Sequence, residues 1–132
     1  MRRRILFDTG FFHVYFSGLN EEAKRAVEEV YSGKSVGYTL DLNLTEFLYT
    51  YGKLKGVDAA KVRLSLILSS PIKVVSTDRE LALRAGELKP KHQNLSIVDC
   101  FVVAFAEREN AVIYTTDLEI KRAYKNTIIL SS

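Results

Sequence analysis

LSIVDCFVVAFAERENAVIYTTD, residues 95–117, joins two kinds of pattern. From Leu95 to Glu109 apolar residues recur at helical spacing; from Ala111 to Thr115 they run on without a polar break, as in a short strand buried on both faces. A helix feeding such a strand is the repeating unit of a parallel sheet packed between helices. One residue fits poorly. The neighbours of Asp99 three and four places away are Leu95, Ser96, Val102 and Val103, a face expected to be buried. An ionised side chain is rarely left unpaired there, so Asp99 is expected either to cap the helix or to face a positive group.

Outward from this unit the alternation continues. ILFD (5–8) reads as a buried strand ending at Asp8, and FFHVYF (11–16) as a short aromatic helix or turn. NEEAKRAVEEVYSG (20–33) is a helix with Ala23, Ala26, Val27, Val30 and Tyr31 inward, capped by Asn20 and ended by Gly33. SVGYT (35–39) is a second strand, followed by a helix through residues 40–55. DAAKVRLSLILSS (58–70) gives another helix, with Ala59, Val62, Leu66 and Ile67 inward. IKVVS (72–76) is a third strand; TDRELALRAGELK (77–89) is a helix opened by a Thr77–Glu80 capping box. After the strand at 111–115 come a short helix, DLEIKRAY, and a final strand, TIIL (127–130). Strands alternating with helices make this an α/β fold with a mostly parallel sheet covered on both faces.

Composition narrows the function classes. The chain has 132 residues, 47% hydrophobic and 27% charged, which suits one domain with an ordinary core. Neither a linker nor a repeat divides residues 1–132. Apolar runs such as FVVAFA are too short for a membrane span, and Asp8 interrupts the apolar run after the basic start before a signal-peptide core can form. A soluble protein of the cytoplasm, with no membrane partner, is expected. The single cysteine, Cys100, excludes an internal disulfide and a thiolate zinc cluster and reads as a buried thiol. A formal charge of +3 suits a phosphate-bearing partner but is far from the dense basic stripe of a dedicated nucleic-acid binder.

Ligands of open parallel sheets sit beyond the carboxyl ends of the strands, where acids occur in this chain. Asp8 ends the first strand and Asp117 follows the fourth. Glu46 lies on the helix after the second strand, Asp99 on the helix before the fourth, and Glu119 two residues past Asp117. Each alone has a structural explanation: Ser96–Asp99, Asn43–Glu46 and Thr116–Glu119 match a capping-box spacing, and Asp8 or Asp117 suits a helix N-cap. Capping gives no reason for their grouping at one edge. Two carboxylates about 4 Å apart repel by roughly 4 kcal/mol at an effective dielectric of about 20, which calls for protonation or a cation. Hard Mg²⁺ or Mn²⁺ suits an all-oxygen site, and a bound metal activates water for attack on a phosphodiester.

The order of DTGFF (8–12), LTEFLY (44–49), LSIVDCFVVAFA (95–106) and VIYTTDLEI (112–120) resembles the PIN domain, a metal-dependent ribonuclease fold, and most of all the small VapC-type toxins of toxin–antitoxin modules. The resemblance spans nearly the whole chain. It implies a three-layer domain with a five-stranded parallel sheet in the order 3-2-1-4-5, flanked by helices. It implies Asp8, Glu46, Asp99 and Asp117 as the four acids that bind Mg²⁺ or Mn²⁺ and carry catalysis. Thr115 matches the hydroxyl residue the family often places beside them. Glu119 stands where a further metal-binding acid can occur, although Glu119 and Ile120 replace a common Asp-Phe pair. Cleavage of single-stranded RNA, a homodimer and an antitoxin peptide lying across the groove are implied as well.

Other readings compete. Gly10 removes the DxD pattern of a phosphatase that uses Asp8 as nucleophile, and neither GxGxxG nor GxxxxGK[ST] is present. A non-catalytic RNA-binding or protein-interaction domain with the same fold is the alternative. His13 and His92 lack the spacing of a metal pair. His92, between Lys89 and Lys91 in KPKHQN, reads as part of a solvated loop with a phosphate contact as the sharper option. Arg2, Arg3 and Arg4 serve solubility or RNA contact. Phe11, Phe12, Tyr15 and Phe16 are expected in the core, with a dimer or antitoxin surface as the sharper option, and Tyr49 and Tyr51 are expected to pack, with stacking on bases as the sharper option.

Overall fold

The computed structural model describes residues 2–131. Five strands, β1 (Arg3–Phe7), β2 (Ser35–Leu40), β3 (Lys73–Val75), β4 (Val112–Thr115) and β5 (Thr127–Ile129), form one parallel sheet in the order β3-β2-β1-β4-β5. The intervening helices are α1 (Thr9–Ser17), α2 (Glu21–Tyr31), α3 (Asp41–Lys55), α4 (Val57–Ser69), α5 (Arg79–Leu88), α6 (Ile97–Glu109) and α7 (Leu118–Ala123). This is the three-layer arrangement expected.

Side chains alternate across a strand, so a strand apolar at every position feeds both faces of the sheet. In β1, Ile5 and Phe7 enter one core while Leu6 enters the other; in β4, Val112 and Tyr114 oppose Ile113 in the same way. The first core lies under α1–α4 and is aromatic. Phe7 meets Phe11 with ring centroids 4.3 Å apart, and Phe12, Phe47 and Tyr114 surround them. The second core, under α5–α7, is aliphatic, built on Leu6, Leu81, Val102, Val103 and Ile120 with fully buried Cys100 among them. Each fully buried side chain of this size contributes about 1.5–3 kcal/mol. Gly37 lets α2 lie close on β2: a Cβ there would stand 2.8 Å from Val30 Cγ2 and 3.0 Å from Phe7 Cε2.

Several local expectations need correction. The inward face of α4 is Ala60, Leu64 and Ile67; Val62 and Leu66 are exposed and Ala59 is only partly buried. This helix is apolar on more than one face, so periodicity alone selected the wrong stripe. Tyr31 of α2 and Tyr49 of α3 are also exposed, whereas Tyr51 packs on Phe47. Phe11 and Phe12 are core, with Tyr15 and Phe16 packed against it. Helix α5 is capped one residue later than expected, by Asp78, whose carboxylate accepts from Leu81 N at 2.9 Å. Among the described residues, no helix is long and apolar enough to cross a membrane.

Candidate active site

β1 and β4 are hydrogen-bonded neighbours with Phe7 paired to Tyr114, so the next residues, Asp8 and Thr115, emerge side by side at the carboxyl edge. Asp8 caps α1: Oδ1 accepts from Phe11 N at 2.9 Å, and Oδ2 accepts from the Thr115 hydroxyl. Only 5% of Asp8 is exposed. Burial pushes its pKa up to about 7; hydrogen bonds from Thr115 and Phe11 oppose the rise, and the charges of Asp99 and Asp117 add to it.

Asp99 lies in the first turn of α6. The choice posed by the sequence, cap or cation partner, is met by neither alternative. Ser96 is the cap, its Oγ accepting from Asp99 N at 3.0 Å, and the Asp99 carboxyl faces other acids. Burial raises its pKa to about 6, with further upward contributions from the charges of Asp117 and Glu46 and from hydrogen bonding to Asp117; Ser96 opposes them. Asp117 caps α7, accepting from Glu119 N at 2.9 Å, while its own N–H donates to Thr115 Oγ1 at 3.1 Å. The Thr115 hydroxyl therefore touches both strand-end acids, donating to one and accepting from the backbone of the other.

Glu46, on α3, accepts from the Thr9 hydroxyl at 2.9 Å. The expected Asn43–Glu46 capping box does not form: buried Asn43 uses Oδ1 to accept from Leu40 N at 3.2 Å. The Thr116–Glu119 box is likewise replaced by the Asp117 cap. Glu119 is paired with Arg122.

The fold thus brings Asp8, Asp99 and Asp117 from separate segments into mutual electrostatic reach, and Glu46 into reach of Asp99. It does not close them into a cage. Among the described residues, no group of three or more His, Cys, Asp or Glu side chains is assembled tightly enough to hold a metal ion.

Two supporting roles escaped the sequence reading. Thr9 orients Glu46 and receives a hydrogen bond from Asn43 Nδ2 at 3.3 Å. Gly10 allows the start of α1 to approach the turn after β4, since a Cβ there would lie 2.6 Å from Thr116 Oγ1. The signal for both was their position directly after a strand-ending acid. His13 is half-buried and meets Thr50 Oγ1 at 2.7 Å, a satisfied core-edge imidazole rather than a ligand.

The PIN domain model matches residues 5–126, which include all the acids just described. The chain belongs to the PIN domain family. Solved structures show how widely this PIN fold is shared. VapBC2 from Rickettsia felis, bound to a DNA fragment from its promoter, superposes with a TM-score of 0.78 at 16% identity, covering 97% of this chain and 99% of that one. VapC20 of Mycobacterium tuberculosis, a sarcin-ricin loop cleaving toxin, gives 0.75 at 22% identity over 91% of this chain and 95% of that one. DNA-bound VapBC of Salmonella typhimurium gives 0.74 at 18% over 98% and 97%. At these identities the likeness establishes the fold. No curated protein sequence matches this PIN domain.

Proposed function

We propose that the protein is a metal-dependent endoribonuclease that hydrolyses single-stranded RNA, the toxin of a toxin–antitoxin pair acting in the cytoplasm. The observation that carries this reading is the convergence of four carboxylates at one sheet edge, with Asp8 and Asp99 raised to about 7 and about 6 chiefly by burial and further by the charges of the other acids. A protein stabilised only by its fold gains nothing from like charges placed together.

The donors fit a hard divalent cation. All are carboxylate oxygens, and Mg²⁺ takes one or two protein carboxylates while waters and substrate phosphates complete its shell, so a cage of three side chains is not required. Asp99 and Asp117 would hold it, with Asp8 and Glu46 beside them; Glu119 is turned to Arg122 and stands at the margin of the set. Bound there, Mg²⁺ or Mn²⁺ supplies an acidified water and stabilises charge on the phosphoryl oxygens. The chain itself fixes the geometry. Thr115 holds Asp8 and the Asp117 backbone, Thr9 holds Glu46, and Ser96 starts the helix that carries Asp99.

An apolar cavity of about 130 Å³ between α1, α2 and α4, lined by Phe12, Phe16, Val27, Tyr31 and Leu66, supports docking of an antitoxin segment. Exposed Tyr49, Leu54, Val57 and Val62 on α3 and α4 support a homodimer.

The test is cleavage of a generic single-stranded RNA with Mn²⁺. EDTA is expected to abolish cleavage, and so are Asp8→Asn and Asp99→Asn without unfolding the domain; unchanged cleavage by both variants overturns the reading. The absence of a three-side-chain cage among the described residues is the one observation favouring a non-catalytic RNA-binding or protein-interaction domain. Calorimetric titration with Mn²⁺ separates the two, because such a module lacking metal affinity produces no binding heat.

A further inference from the structure

A cleft of about 370 Å³ opens beside the acidic edge, between the loop leading into α6 and helix α7. Lys91, His92, Gln93 and Asn94 line one side, Glu119 and Arg122 the other. Both walls are tied to the acids already described. Glu119 N donates to Asp117 Oδ1, and the loop runs through Leu95 into Ser96, whose hydroxyl holds the Asp99 N–H.

The loop is built rather than loose. Lys91 N and His92 N both donate to Leu88 O, at 3.1 and 3.0 Å, and Leu95 N donates to His92 O at 2.9 Å. The Lys89 ammonium reaches across the loop to the carbonyls of Gln93, at 2.8 Å, and Leu95. Lys89 is therefore spent on bracing the loop, and Lys91, His92 and Arg122 are the basic groups presented to the cleft. Among the described residues Lys91 forms no ion pair. Arg122 is paired with Glu119 but stays largely exposed, with several of its five donors still available.

A polyanion approaching four carboxylates is repelled, and fixed cations next to them offset that repulsion while setting where the strand lies. We propose that this cleft binds a phosphodiester of the RNA strand adjoining the one that is cut, held by Lys91 and Arg122 with His92 beside them. The proposal rests on the nuclease reading above and deepens it. The contact is to backbone, so it positions the strand without selecting its sequence.

The experiment is steady-state cleavage by the full chain, with Mn²⁺, of short single-stranded RNAs of differing sequence that carry a 5′-hydroxyl, so that no terminal phosphate competes for the cleft. Lys91→Gln/Arg122→Gln is expected to raise KM about tenfold for every sequence while kcat stays within about twofold. The slope of log affinity against log salt becomes shallower by about 0.7, the value for one lost single-strand phosphate contact. Lys91→Glu alone, which leaves the Glu119–Arg122 pair intact, raises KM at least as far. Arg25→Gln/Lys34→Gln removes the same charge from exposed positions on α2 and in the turn before β2 and leaves KM in place. An unmoved KM in the cleft variants, or an equal rise in this control, overturns the assignment. If the wild type cleaves and the cleft variants match it, the cleft assignment alone fails; if the wild type does not cleave, the nuclease reading fails and takes the cleft assignment with it.

Discussion

The two ends of the sheet treat charge in opposite ways. At the amino ends of the strands, charged groups are matched. Arg3 donates to Glu29 at 3.1 Å and to the Tyr114 hydroxyl at 2.9 Å, Glu29 accepts from Ser35 at 2.7 Å, and Arg4 lies 3.5 Å from the Glu109 carboxylate. At the carboxyl ends, Asp8, Asp99 and Asp117 face one another, and two of the three have raised pKa values. The Glu29 carboxylate, by contrast, is held below its ordinary range, chiefly by the Ser35 hydroxyl and then by Arg3. One end is arranged for stability; the other gives up stability to hold like charges together.

Substitutions at the two ends should therefore separate activity from stability. Asp99→Asn is expected to lower RNA cleavage on the order of 100-fold or more, and Glu29→Gln to leave it within about twofold, in a gel assay with Mn²⁺. Equal losses from both would erase the distinction between the ends.

The next effect is on stability in EDTA. The Asp8 carboxyl has an ordinary value of 3.8 and a folded value of about 7, so its favourable contribution is complete below 3.8 and is lost as pH rises through 7. Asp8→Asn removes that titration and keeps an oxygen for the α1 cap. Its advantage over wild type should be near zero at pH 4 and grow to on the order of 2–4 kcal/mol by pH 8, read from urea midpoints. An advantage independent of pH would mean that charge is not the cause.

Metal should reverse this penalty. Mn²⁺ at about 100 times its dissociation constant is expected to stabilise the wild type by about 2.7 kcal/mol and Asp99→Asn by far less, in the same urea assay. The smallest change belongs to the matched end. Glu29→Gln should cost less than about 1 kcal/mol, because the pair is exposed enough for solvent to screen it.

The layered fold was legible because Ile5–Phe7 in β1 and Val112–Tyr114 in β4 are uninterrupted apolar runs and the helices between strands keep their periodicity. Strand order was not contained in that pattern; it came from resemblance, since hydrophobicity says which faces are buried and nothing about which strand lies beside which. Helix α4 was misread because its apolar residues outnumber those it buries, leaving Val62 and Leu66 exposed. The site acids were visible as carboxylates following apolar runs. Their supports were not: Thr9 and Gly10 gain meaning only once α1 is set against α3 and the β4 turn. The failure of both explanations for Asp99 was itself informative, because a group with neither a cap role nor a cation partner is found facing other acids.

Thr115, fully buried, works like a single rivet through two plates. Valine has nearly its shape and would fill the same volume, yet it can neither donate to Asp8 nor accept from the Asp117 amide. Lineages of this chain should therefore drift toward serine at this position far more readily than toward valine, keeping the oxygen and sacrificing the methyl.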